Sequence, residues 1–145
     1  MDKYKVTARK TALRLQSDVH ARGLHTMIDE PVKAGGNNTG MNPMELLLAT
    51  LGASLQETAA KLARQQNFTY DHLTVNVEGD LDKRGFMGVS GIRSGFQEIR
   101  VNFIINSSED VKTCQHFIKT VEQQSPIYDT LTKGTTVIRD QVVKD

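Results

Sequence analysis

Most features that would assign this 145-residue chain quickly are missing from it. It has one cysteine, Cys114. A lone cysteine forms no internal disulfide, which excludes a small secreted domain built on disulfides. Neither charge sign is in excess: 18 Lys and Arg face 17 Asp and Glu, for a net charge of +1, with no dense basic cluster. Electrostatics therefore points to no nucleic acid and no anionic membrane as a partner. No run approaches the ~18 apolar residues of a membrane span. The opening MDKYKVTARK is polar and charged, unlike a signal peptide. The expected compartment is the cytoplasm. Internal repeats and low-complexity segments are missing too.

The histidines, His20, His25, His72 and His116, offer no helical i,i+4 pair. His20 and His25 lie five apart in strand-like sequence, which predicts opposite faces. No metal site and no cofactor are expected. The stretch GGNNTG lacks the Gly-Lys-Ser/Thr ending of a phosphate loop and is not a strand-linked GxGxxG. It reads as a loop that turns sharply.

What is present reads as one domain of soluble, globular composition, with a mean hydropathy of −0.40. YKVTARKTALRLQSD alternates around Tyr4, Val6 and Ala8, then around Leu13 and Leu15, and LHTMID can pair with it. After the glycine loop comes NPMELLLATLGASLQETAAKLARQQ, the clearest helix. Asn42 is its N-cap, Pro43 fits the first position and Glu45 completes a capping box. Its first half is apolar nearly all round, through Leu46, Leu47, Leu48, Ala49, Leu51, Ala53 and Leu55. Such a helix must be covered on every side, and a chain this short offers little cover, which points to a dimer around it. HLTVNVEGDL and FQEIRVNFIIN are strands joined by the glycine-rich KRGFMGVSGIRSG. SSEDVKTCQHFIKTVEQQ is a second helix, capped by Ser107, with a stripe of Val111, Cys114, Phe117, Ile118 and Val121, and Pro126 stops it. TTVIRDQVV is a final strand. Runs of strands with two helices define an α+β fold.

Little of this carries chemistry by itself. Ser54 lies mid-helix, without the second glycine of a nucleophile elbow and with no histidine placed to activate it. Back-bonding to the Thr50 carbonyl explains it adequately. Cys114 on an apolar stripe reads as a structural thiol, because reactive thiols need an electropositive, accessible setting. Capping accounts for Glu45.

Two stretches change the reading. EPVKAGGNNTGMNPMELLLATLGAS and VEQQSPIYDTL together resemble the two signature regions of the OsmC/Ohr family, the osmotically induced and organic hydroperoxide resistance proteins. The order of elements agrees over essentially the whole chain. The resemblance implies antiparallel sheets around a long buried central helix, in an intertwined homodimer with active sites at the interface. It places the family's peroxidatic cysteine at Ser54 and its resolving cysteine at Ser125. The family carboxylate ten residues before the first cysteine falls on Met44, with Glu45 beside it. Arg14 is the nearest match to the arginine that assists the thiolate. Binding contacts fall on Met44, Glu45 and Leu51.

In the family a thiolate attacks the peroxide O–O bond and becomes a sulfenic acid. The second cysteine condenses with it to a disulfide, which an external dithiol reduces. A serine hydroxyl is far less acidic and forms no disulfide, so both steps fail with Ser54 and Ser125. The expected partners are a second copy of the chain and an organic hydroperoxide, with a dithiol reductant if the chain is active. The alternative is a non-catalytic protein that binds a small apolar or acyl ligand in the former peroxide pocket. A weaker alternative makes Cys114 a substitute nucleophile.

Overall fold

Two glycine-containing turns and one reciprocal cap organise the first third of the molecule. In a computed structural model that describes residues 1–144, the chain divides into two compact units, the first Met1–Ala49 and the second beginning at Thr50. The first holds an antiparallel sheet in the order β1 (Thr7–Lys10), β2 (Ser17–Ala21), β3 (Leu24–Ile28). The alternation expected through Leu13 and Leu15 breaks instead into a turn. Thr11 N–H donates to the Gln16 carbonyl at 3.0 Å, and Arg14 takes a φ of 32°. Both leucines stay about half exposed there. Arg22 and Gly23 have φ values of 53° and 79°, the pattern of a two-residue hairpin turn. That turn pairs His20 with His25 directly across β2 and β3. The expectation that they face opposite ways is therefore wrong. Counting parity along a strand does not carry through a hairpin, where cross-strand partners share a face.

The glycine loop wraps a buried carboxylate. Asp29 is 1% exposed and accepts from the N–H groups of Glu30, Asn37 and Thr39 and from the Thr39 hydroxyl, at 2.7–3.1 Å. Burial pushes its carboxyl up, but the Thr39 hydroxyl and the three N–H donors together outweigh that and hold it below the usual carboxylate range. Thr11 donates to Gln16, and Gln16 to Thr39, each at 2.8 Å, so one polar chain runs from the β1–β2 turn to Asp29. Two glycines are required by close approach. A Cβ on Gly36 would lie 2.0 Å from the Glu30 carbonyl oxygen, and one on Gly40 would lie 2.0 Å from that of Met27.

The long helix α1 (Pro43–Gln66) begins with the expected capping box. Glu45 N–H donates to Asn42 Oδ1 at 2.8 Å, and Asn42 N–H donates to Glu45 Oε2 at 2.9 Å.

The second unit pairs β4 (His72–Leu81) with β5 (Phe96–Asn106), the two segments read from the sequence to the residue. One face of this ribbon packs on a core of Leu51, Leu55, Ala59 and Leu62 from α1 with Phe117 and Val121 from a later helix. The Phe68 and Phe117 rings stack at 4.0 Å. The other face is polar apart from an exposed Ile104, and Arg100 bridges Glu78, Asp80 and Glu98. The linker between the strands holds a single helical turn, α2 (Lys83–Phe86), capped by Asp82.

Three expectations need correction here. Helix α3 (Val111–Gln124) is capped by Asp110, which accepts from Thr113 N–H at 2.7 Å. Ser107 instead donates to the Thr69 carbonyl. Pro126 does stop α3, but it also starts an unforeseen helix, α4 (Pro126–Lys133). Residues 134–144 form no strand, and Val137, Ile138, Val142 and Val143 stay exposed. Strand propensity does not suffice where the segment makes no ladder with another strand. The α+β class stands, and no helix of the described residues is long and apolar enough to cross a membrane.

Candidate functional site

Ser54 and Ser125 meet. They are separated by 71 positions in the chain, yet their hydroxyl oxygens lie 2.8 Å apart. Each is positioned by its own element. Ser54 sits on α1 one turn after Leu51 and one turn before Thr58, both buried. Thr58 Oγ1 donates to the Ser54 carbonyl at 2.8 Å, the back-bond of a hydroxyl inside a helix. Ser125 is the hinge residue between α3 and α4, fully buried, with extended backbone at φ −74° and ψ 121°.

That hinge uses every polar atom of the residue. Ser125 N–H donates to the Val121 carbonyl at 3.0 Å and closes α3. Its Oγ accepts from Tyr128 N–H at 3.4 Å, and its carbonyl accepts from Asp129 N–H at 2.9 Å, so it opens α4 as the N-cap. Tyr128 N–H takes one lone pair of the hydroxyl. A lone pair and the proton remain, so either serine can donate to the other.

The chemistry available to two hydroxyls in this setting is small. Among the described residues, their partners are each other and backbone groups, and no general base is assembled on them. The geometry suits a different pair of atoms. Side chains whose ends already touch need only small rotations to be bridged if both carry sulfur.

The other expected site residues divide between the units. Leu51 belongs to the second unit and is 3% exposed in its core, one helical turn before Ser54. Met44 and Glu45 belong to the first unit, in the first turn of α1. Glu45 is engaged in the capping box and Met44 is half-buried. Arg14, also in the first unit, is exposed on the β1–β2 turn and not on a strand. Cys114 is half-buried on α3 and lines a cleft of about 680 Å³ with Phe103, Ile105, Ile118 and Glu122. Burial raises the Glu122 carboxyl above its ordinary range. Neither serine lines this cleft.

Two features escaped the sequence. The first is the double cap at Ser125. Its signal was available, since Ser-Pro opening a helix repeats the grammar of Asn42-Pro43. The second is the grouping of Asp18, His20 and His25, whose potential ligand atoms lie within 4.8 Å of one another. Only knowledge of the hairpin register reveals it.

Comparison with known proteins gives the class of this fold. The model of the OsmC-like protein family matches residues 35–139. The chain belongs to the OsmC-like family. It is similar to a hydroperoxide reductase of Mycoplasma genitalium, with 26% identity over 129 residues, covering 89% of this chain and 86% of that protein. Among solved structures it resembles an OsmC-like protein from Mycoplasma pneumoniae, with a TM-score of 0.78 and 24% identity, over 90% of this chain and 87% of that one. It also resembles the organic hydroperoxide resistance protein OhrB of Bacillus subtilis, with a TM-score of 0.60 and 22% identity, over 90% and 91% of the two chains.

Proposed function

We propose that this chain is a homologue of the hydroperoxide-detoxifying members of its family in which oxygen stands in both sulfur positions, so that it does not turn over as a thiol peroxidase. The contact of Ser54 with Ser125 at 2.8 Å carries the reading. Two residues from distant segments touch, and they are the two at which the resemblance in sequence places the family's cysteine pair. The similarity to a protein named hydroperoxide reductase supports the substrate class.

With sulfur at both positions the cycle balances as follows. The thiolate at position 54 takes the terminal oxygen of the hydroperoxide, the O–O bond breaks, and the alkoxide leaves as the alcohol after protonation. The resulting sulfenic acid condenses with the thiol at position 125, forming the S–S bond and releasing water. An external dithiol then reduces that disulfide and is itself oxidised to a disulfide. A hydroxyl at position 54 is too weakly acidic to supply the nucleophile, and one at position 125 cannot close the bond. Met44, Glu45 and Leu51 on the preceding turns of α1 are the proposed binding contacts, and Arg14 is the proposed thiolate-assisting cation. The working form is a homodimer.

Steady-state consumption of an organic hydroperoxide with a dithiol reductant tests this. Ser54→Cys/Ser125→Cys is expected to turn over while the parent chain does not. If neither turns over, the site has diverged beyond its sulfur atoms and the reading fails. Binding of a small apolar or acyl ligand without turnover is then the reading to pursue.

A further inference from the structure

We propose that Asp18, His20 and His25 form a binding site for one late first-row divalent cation, with Zn²⁺ as its probe. The site lies on the β2–β3 hairpin of the first unit and is independent of the serine pair. Asp18 and His20 are two apart on β2 and share a face. His25 on β3 is the direct cross-strand partner of His20. One potential ligand atom from each residue lies within 4.8 Å of the others. The two imidazole rings stack at 5.0 Å with 25° between their planes. His25 Nδ1 lies 2.9 and 3.0 Å from the two Asp18 carboxylate oxygens.

The neutral explanation is that His25 and Asp18 are simply hydrogen-bonded. It leaves His20 unexplained. His20 Nδ1 is buried and has no hydrogen-bond partner among the described residues. Buried ring nitrogens are almost always partnered, so an orphan beside two ligand-type side chains points to a missing electrophile. A cation shared by the three side chains gives the cluster one purpose.

The donor set selects the ion. Two imidazoles and one carboxylate suit Zn²⁺ and its late first-row neighbours, whereas Mg²⁺ and Ca²⁺ call for oxygen ligands. Donor atoms around a tetrahedral zinc are spaced by about 3.3 Å, so closing from 4.8 Å takes side-chain rotation and leaves the strand register in place. The His25 side chain is 53% exposed and that of Asp18 is 25% exposed, so an ion can enter and water can complete its shell. Once bound, it would tie β2 to β3 beside their two-residue turn.

The test is titration of the untagged full chain with Zn²⁺, followed by calorimetry and by NMR of the histidine rings. One equivalent is expected, moving the ring signals of His20 and His25 and leaving those of His72 and His116 in place. His20→Gln and His25→Gln should each weaken binding by at least about tenfold, while Cys114→Ser should not. Absence of binding at millimolar zinc overturns the proposal. So does binding that survives both histidine substitutions, or ring shifts at His72 or His116 only. If a variant fails to fold, the ring signals of the unsubstituted chain decide the matter alone.

Discussion

Ser125 works harder than its size suggests. One fully buried side chain caps α4 and contacts Ser54. Ser125→Ala removes both roles and takes a partner from two part-buried groups, the Tyr128 N–H and the Ser54 hydroxyl. It is expected to destabilise the protein by about 1–3 kcal/mol in denaturant unfolding. Ser54→Ala keeps the cap and should cost less. A double-mutant cycle between the two is expected to show a coupling of about 0.5–1.5 kcal/mol, and additivity would mean that their contact contributes nothing. Asp29 is the other residue with a disproportionate role. Its carboxyl is held below the ordinary range in the folded protein. The stabilisation is therefore complete above the unfolded value, near pH 4, and is lost as pH falls through the folded one. Asp29→Asn should lower the thermal midpoint at neutral pH and flatten the loss of stability below about pH 4, measured by melting at a series of pH values.

Single elements show where sequence reasoning succeeds. The capping box of α1 is purely local, four consecutive residues whose side chains reach only one turn, so it was legible without any tertiary knowledge. Asn42→Ala should cost about 1 kcal/mol, checked by chemical denaturation. Strands β4 and β5 were legible for a similar reason. Their alternation reports one face against a core and one against water, and the Arg100 cluster occupies the wet face. What was not legible depends on pairing. The β1–β2 turn hides inside an alternating pattern because Leu13 and Leu15 keep the period while Arg14 leaves the strand conformation. The grouping of His20 with His25 follows from register across a hairpin, which no single-strand count supplies. The tail holding Val137 and Ile138 has the composition of a strand, yet it pairs with none among the described residues. The meeting of Ser54 with Ser125 was legible only through family resemblance, since no local rule joins residues on α1 to the α3–α4 hinge.

At the scale of the molecule, stability in the second unit rests on the contact of α1 and α3 with one face of a two-stranded ribbon. Such ribbons are marginal unaided and need a packed face. Leu55 is fully buried at the centre of that core. Leu55→Ala is expected to cost about 2–5 kcal/mol in denaturant unfolding, and a loss below about 1 kcal/mol would mean that the core relaxes around the hole. The proposed homodimer makes its own forecast. Sedimentation should give about twice the 16.1 kDa of the chain, and a monomer persisting at high concentration would contradict it. The central claim, that the serine pair occupies a redox pair's geometry, is tested most directly by treating Ser54→Cys/Ser125→Cys with one equivalent of organic hydroperoxide and mapping the oxidised peptides. A disulfide joining positions 54 and 125, with Cys114 left as a free thiol, is the expected result. A disulfide through Cys114, or oxidation at position 54 that never closes onto position 125, would contradict it.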